Sequence, residues 1–273
     1  MEKKYEIILF GATGFTGQLC AKYFKQNYPD LTWAIAGRDK NKLDDINIKF
    51  NLNVDTLVAD GDNLEALRVM AGQAKVILST AGPFARYSDL LVQACVEQGT
   101  HYTDITGENH WVRTLIDKHH ENASLKGVRI VPSCGYDSIP SDIGTLFAVS
   151  QFNKPVKRVE LFQEMQGGAS GGTIETAFSM GKLSKEMRDP FLLNPENSST
   201  EEQRKYSKDM MRIEKIEELD GWSGMFVMAA GNTRVVRRTA ALMEQNQNSY
   251  GANFTFGEYG LHKTKKLARR ASY

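Results

Sequence analysis

Apolar and polar positions along the first half of this chain switch repeatedly between two periods. Tyr5, Ile7, Ile8, Leu9 and Phe10 form a short run of strand-forming residues, cut off at once by Gly11, which predicts a buried strand over 5–10. Leu19, Cys20, Tyr23 and Phe24 then recur at i, i+1, i+4 and i+5, the spacing of one helix face. A Tyr28-Pro29-Asp30 turn leads to a second strand at 32–36. Strand, helix and strand thus close within the ~30 residues usual for a βαβ unit.

The alternation continues. A polar helix over 40–50 precedes a strand at 54–59, a helix at 63–71 and a strand at 75–80. After a break at 81–84, a helix carries Leu90, Leu91, Ala94 and Cys95. A strand at 101–105, a helix at 109–122 and a strand at 128–131 complete the series before Pro132. This rhythm predicts an α/β fold: a Rossmann-type, doubly wound parallel sheet with right-handed crossovers.

Beyond residue 150 the pattern changes. Residues 156–165 alternate as a longer strand, followed by the glycine-rich run 167–172 and a helix over 173–183. Residues 189–220 are polar, and 222–230, 234–243 and 250–256 read as further strands or short helices. The expected organisation is a nucleotide-binding domain over 1–150. A smaller α+β domain over 151–273 would carry substrate contacts or an oligomer interface, such as that of a homodimer.

Composition narrows the class. With 273 residues, 41% hydrophobic and 25% charged, the chain has the make-up of a globular protein with a sizeable core. A net charge of +1 argues against nucleic acid as the partner. No apolar run approaches the ~18–20 residues of a membrane span, and the N-terminus is not that of a signal peptide. Cys20, Cys95 and Cys134 are odd in number and lack C-x-x-C spacing, so no disulfide framework and no metal site is expected. Asn122, Asn197 and Asn253 stand in glycosylation sequons that would matter only in a secreted protein. A reducing, cytoplasmic setting fits best. The basic segment 262–270 reads either as a solvated terminus or as a site drawn to an acidic membrane surface or protein partner.

The chemistry-bearing signal sits where the first strand meets the first helix. Gly11, Ala12, Thr13, Gly14, Phe15, Thr16 and Gly17 form a G-x-x-G-x-x-G loop. Gly11 permits the sharp turn, Gly14 lets backbone approach a pyrophosphate, and Gly17 lets helix and sheet pack closely. The helix N-terminus then faces the phosphates. At the end of the second strand, Arg38 offers a planar fork for the 2′-phosphate of NADP(H). Asp39 would serve a ribose hydroxyl instead if the register shifted by one residue. Asp60, after the third strand, falls at the adenine end. Ala81, Gly82, Pro83 and Phe84 follow the fourth strand, where compact backbone and a ring suit the nicotinamide.

A proton donor is harder to identify. Tyr136 and Asp137 lie in the loop after the sixth strand, at the carboxyl end of the sheet, and are the first candidates. Tyr102 and Glu108 flank the fifth-strand loop. Asp137, Ser138 and Asp142 equally suit capping of a helix that begins near Pro140. No G-x-S-x-G elbow is present. His119 and His120 are adjacent and would point to different helix faces. The run 167–172 serves either as an anion cradle or as a flexible connection.

Five segments in order carry a family resemblance: the loop from Gly11 to Gly17, Ala36-Gly37-Arg38, Ala81 to Phe84, Tyr102 to Glu108, and Cys134 to Asp142. Over about residues 5 to 180 the chain resembles the saccharopine dehydrogenase-like oxidoreductases, which include the mycobacterial trans-acting enoyl reductases. The resemblance implies an NADP(H)-binding Rossmann domain followed by an α/β domain covering the cofactor cleft. By analogy it implies a hydrophobic or lipid-linked enoyl substrate rather than an amino acid, since clustered zwitterion contacts are not evident. Members of this family usually continue well past this chain's end. Termination at Tyr273 therefore reads as a truncated form with an incomplete second domain, lacking the later apolar stretch that resembles a membrane or lipid-droplet anchor in animal relatives. The alternative is a non-catalytic NADP(H)-binding protein that senses redox state or acts as a scaffold peripheral to a lipid surface.

Overall fold

The computed structural model describes residues 2–164, 189–207 and 213–272. The expected glycine-rich run 167–172 and helix 173–183 lie outside the described residues. The chain forms two compact units, Met1–Gly135 and Tyr136–Tyr273. The division therefore falls ahead of the expected boundary at 150, and the reason is packing. Helix Ile139–Ser150 brings Leu146 and Val149 against Val236 and Phe256 in the core of the second unit.

In the first unit, six parallel strands take the order β3-β2-β1-β4-β5-β6. They are β1 (Tyr5–Phe10), β2 (Trp33–Gly37), β3 (Asp55–Val58), β4 (Ala74–Ser79), β5 (His101–Asp104) and β6 (Ile130–Val131). Between them run α1 (Phe15–Asn27), α2 (Lys40–Lys49), α3 (Leu64–Ala71), α4 (Phe84–Tyr87), α5 (Asp89–Gln98) and α6 (Asn109–Leu125). The central strands are apolar because both faces are covered. Ile8, Leu9, Ala34, Ile35 and Ile77 are fully buried, and Leu9, Trp33, Ile35, Leu43, Ile46 and Leu52 share one core cluster. Local signals start and stop the helices. Asp39 Oδ1 accepts from Lys42 N at 3.2 Å to cap α2, Asn63 Oδ1 accepts from Ala66 N at 3.1 Å to cap α3, and Gly99 ends α5 at φ 64°.

The inner face of α1 differs from the one its apolar residues predict. Gly17 and Ala21 are buried and Cys20 and Phe24 partly so, whereas Leu19 and Tyr23 are half exposed. The helix lies so close to the sheet that small residues line the contact. Leu19 is two positions, about 200° of helical turn, from Gly17 and so points away.

In the second unit, β7 (Arg158–Gln163), β10 (Thr255–His262), β9 (Gly221–Gly224) and β8 (Lys215–Ile216) form a mixed sheet in that order. β7 and β10 are parallel, and β10, β9 and β8 antiparallel. Helices α7 (Ile139–Ser150) and α9 (Ala229–Gln245) accompany it, with the short α8 (Glu201–Tyr206). Val236, Tyr250, Phe254 and Phe256 make its core cluster. Residues 234–243 belong to one long helix rather than a separate strand or short helix. The basic segment is ordered too. Thr264 caps α10 (Lys265–Ala271), whose Ala268 is fully buried while Lys265, Lys266, Arg269 and Arg270 remain exposed. No helix among the described residues is long and apolar enough to cross a membrane.

These packing assignments are testable by urea unfolding. Leu43→Ala should cost about 2–5 kcal/mol, as expected for a buried leucine. Leu19→Ala should stay within about 0.5 kcal/mol; an equal loss at both sites would contradict the observed face of α1.

Candidate functional site

The strand order reverses direction between β1 and β4, and in open α/β sheets ligands bind beyond the carboxyl ends of the strands at that switch point. Gly11 leaves β1 at φ 84°, where a Cβ would stand 2.8 Å from Ala81 N. A Cβ on Gly17 would stand 2.3 Å from Gly11 O and 2.7 Å from the Ala12 Cα. The first turn of α1 is thus pressed against the end of β1. Ala12 is buried, Thr13 half-buried with its carbonyl accepting from Gln18 Nε2 at 3.1 Å, Thr16 half-buried, and Phe15 exposed.

Gly14, the N-cap of α1, supplies no side-chain acceptor, and the first turn contains no acid. Gln18 N closes the first helical turn onto Gly14 O at 3.0 Å. The amides before it are those a helix leaves unsatisfied. Neighbouring α2 and α3 each carry a side-chain cap. Uncapped amides, the positive end of the helix dipole and a loop with glycine at positions 11, 14 and 17 fit a bound diphosphate.

At the end of β2, Asp39 is committed to capping α2, with Lys42 Nζ also 3.7 Å from its carboxylate. Arg38 is exposed and has no ion-pair partner among the described residues. Of the two residues that compete for this role in the sequence, only Arg38 has its charge available. Arg38, Asp39, Lys40, Asn41 and Asp60 line one open concavity. Asp60 is exposed and accepts from Asp62 N at 3.2 Å, shaping the turn after β3.

Ala81, Gly82 and Pro83 turn out of β4 through a cis Gly82–Pro83 bond. Thr80 Oγ1 donates to Gly11 O at 3.1 Å, joining this turn to the glycine loop. Phe84 departs from its expected role, because its ring is buried and stacks on Trp111 with centroids 6.2 Å apart. Backbone, rather than that ring, is what the segment presents.

Two buried carboxylates hold the neighbouring loops. Glu108 accepts from Phe84 N at 2.8 Å and Ala85 N at 3.2 Å, capping α4 from across the fold. Asp104, at the end of β5, accepts from Thr106 N and Ser133 N at 2.9 Å on one oxygen and from Tyr102 OH at 2.9 Å on the other. Burial pushes its carboxyl up to about 6, against those hydrogen bonds, which pull it down. Asp104 has no candidate role in the sequence analysis; its signal was an acid at the strand end, followed by the Thr106-Gly107 turn.

Tyr136 and Asp137 open the second unit. Tyr136 is exposed, and desolvation raises the Asp137 carboxyl above its ordinary value. Ser138 and Asp142 do not cap α7. Ser138 Oγ donates to Asn232 Oδ1 at 3.0 Å, and Asp142 accepts from Thr239 Oγ1 at 2.9 Å. Cys134 is half-buried, with its Sγ donating to Val131 O at 3.4 Å. Among the described residues no group of acidic, histidine and cysteine side chains is arranged to hold a metal.

A dinucleotide-binding α/β unit is the class that this sheet order and glycine loop define. Residues 7–131 match the family model described as the saccharopine dehydrogenase NADP binding domain. Residues 7–131 are thus similar to that NADP-binding domain. It is 36% identical to a trans-acting enoyl reductase of Mycobacterium ulcerans and 35% identical to one of Mycobacterium leprae; each alignment covers 94% of this chain and 65% of the relative. The chain thus spans 65% of the length of these curated relatives. Apo saccharopine dehydrogenase (L-Glu forming) of Saccharomyces cerevisiae shows 14% identity and a TM-score of 0.49, over 59% of this chain and 34% of that one.

Asp104 supplies a pH test. Its raised carboxyl favours the protonated folded state, a contribution complete below about pH 4 and lost as pH rises through about 6, worth on the order of 3 kcal/mol. Asp104→Asn should flatten that part of the stability profile, read as urea midpoints from pH 4 to 7; an unchanged slope would remove Asp104 as its source.

Proposed function

We propose that the chain is an NADP(H)-dependent oxidoreductase that reduces a hydrophobic or lipid-linked enoyl compound. The observation that carries this reading is the uncapped N-terminus of α1, seated on β1 by glycine at 17, with the exposed guanidinium of Arg38, unpaired among the described residues, at the end of β2. The substrate class comes from the relatives named enoyl reductases.

In this reading the amides from Gly11 to Gly17, with Ala12, Thr13, Gly14, Phe15 and Thr16 between them, bind the diphosphate. Arg38 pairs with the 2′-phosphate through its planar fork. Asp60 borders the adenine side, and the backbone of Ala81, Gly82, Pro83 and Phe84 lies along the nicotinamide. When bound, the reduced coenzyme supplies a hydride to one carbon of the conjugated alkene. Tyr136 or Asp137 gives a proton to the other, and the raised carboxyl of Asp137 suits an acid that stays protonated closer to neutral pH. The exposed basic face of α10 offers a contact for an anionic lipid surface through which such a substrate would be reached.

The test is direct. The chain should bind NADPH by calorimetry and oxidise it in the presence of enoyl thioesters, followed as loss of nicotinamide absorbance. Arg38→Asp should weaken NADPH by about tenfold or more while leaving NADH nearly unchanged, since charged hydrogen bonds contribute ~1.5–3 kcal/mol. Equal losses for both coenzymes would remove the 2′-phosphate role. Binding without turnover would favour a non-catalytic sensor or scaffold.

A further inference from the structure

The single turn of α4 stands just beyond the carboxyl end of β4, and its start is held from a distance. Pro83, at its N-cap, has no side-chain acceptor to offer. Its first two amides go to a residue 24 and 23 positions further on: Phe84 N donates to Glu108 Oε1 at 2.8 Å and Ala85 N to Glu108 Oε2 at 3.2 Å. Glu108 is only 5% exposed. Burying a charge is costly, and a neutral serine or asparagine at the helix's own start would satisfy such an amide without it. For a helix of four residues, that cost makes sense if the carboxylate fixes more than the helix.

Glu108 is itself held. Its N donates to Thr106 Oγ1 at 3.0 Å, and its carbonyl accepts from Trp111 N at 2.9 Å and Val112 N at 3.1 Å as α6 begins. One residue thus opens α6 with its backbone and α4 with its side chain. The stacking of Trp111 on Phe84 clamps the same two helix starts. On its other side the segment is tied to the glycine loop. Thr80 N donates to Phe10 O at 2.9 Å and Thr80 Oγ1 to Gly11 O at 3.1 Å. The backbone from Ala81 to Pro83 is therefore fixed between two anchors, the glycine loop before it and Glu108 after it.

Sheet order says which part of a coenzyme meets that backbone. β2 and β4 flank β1 on opposite sides. With the 2′-phosphate at Arg38 after β2 and the diphosphate at the start of α1 after β1, the adenosine lies toward β2. The other half then runs past the end of β4. That half ends in the nicotinamide, whose reacting carbon must be held in one orientation for hydride transfer.

We propose that Glu108 is the positioning residue for the nicotinamide half of the coenzyme. Its carboxylate fixes the backbone along which the ring lies, without touching the coenzyme. The assignment rests on the NADP(H) reading above. The phosphate contacts of the glycine loop and Arg38 do not depend on it.

Two ligands that differ in the nicotinamide ring separate this role from a merely structural one: NADPH and 2′-phospho-ADP-ribose. Each is titrated calorimetrically into the full chain and into its Glu108→Gln and Glu108→Ala variants. The unaltered chain should bind NADPH about tenfold more tightly than 2′-phospho-ADP-ribose. Glu108→Gln keeps one acceptor and should lose most of that preference, and Glu108→Ala all of it. Affinity for 2′-phospho-ADP-ribose should stay within about twofold in both. Glu108→Gln is nearly isosteric and carries the test if Glu108→Ala does not fold. Equal loss of both ligands in Glu108→Gln, a preference for NADPH that survives Glu108→Ala, or equal binding of the two by the unaltered chain would each overturn the proposal. If the unaltered chain binds neither ligand, the coenzyme reading itself fails and the assignment falls with it.

Discussion

The close approach of α1 to β1 governs the first unit. At position 17 even a methyl group would overlap the carbonyl oxygen of Gly11, so the helix can start where it does only with glycine there. That backbone contact aims the first turn outward from the carboxyl end of the central strand. No side chain among the described residues then caps it. α2 and α3 carry the side-chain caps that usually contribute about 1 kcal/mol, through Asp39 and Asn63. Of these three helices, the one left without a cap is the one that sits at the switch in strand order. Stability forgone at α1 is electrostatic potential kept for a ligand.

The loops around that point are held by buried carboxylates. Glu108 reaches back to cap the single turn of α4, and Asp104 ties the end of β5 to the segment after β6. A carboxylate can accept several amides at once, so one side chain replaces many loop–loop contacts. Irregular backbone therefore stays ordered at the carboxyl ends of the strands.

Asp104 and Glu258 make an instructive contrast. Both are buried and both are raised by desolvation. Asp104 has partners on both oxygens, as a purely structural acid should. Among the described residues Glu258 gathers three donors on Oε1 and none on Oε2. Similar burial thus comes with different completion of the two carboxyl groups.

Hydrophobic periodicity alone determined the alternation of strands and helices in the first unit, because each element must bury an apolar face at its own period. The glycine spacing and Arg38 were legible for a related reason: they are local backbone and charge requirements at fixed points of a βαβ unit. What the sequence could not decide were matters of who lies next to whom. Leu19 and Tyr23 look like core, yet the closeness of α1 to β1 hands that line to Gly17 and Ala21. Asp39 looks like a ribose ligand until it is seen capping α2, and Phe84 like a cofactor platform until Trp111 covers it. Ser138 and Asp142 bond to α9 rather than to their own helix, which moves the unit boundary to Gly135. Each of these outcomes depends on a partner supplied by the folded chain, and only tertiary packing specifies such partners.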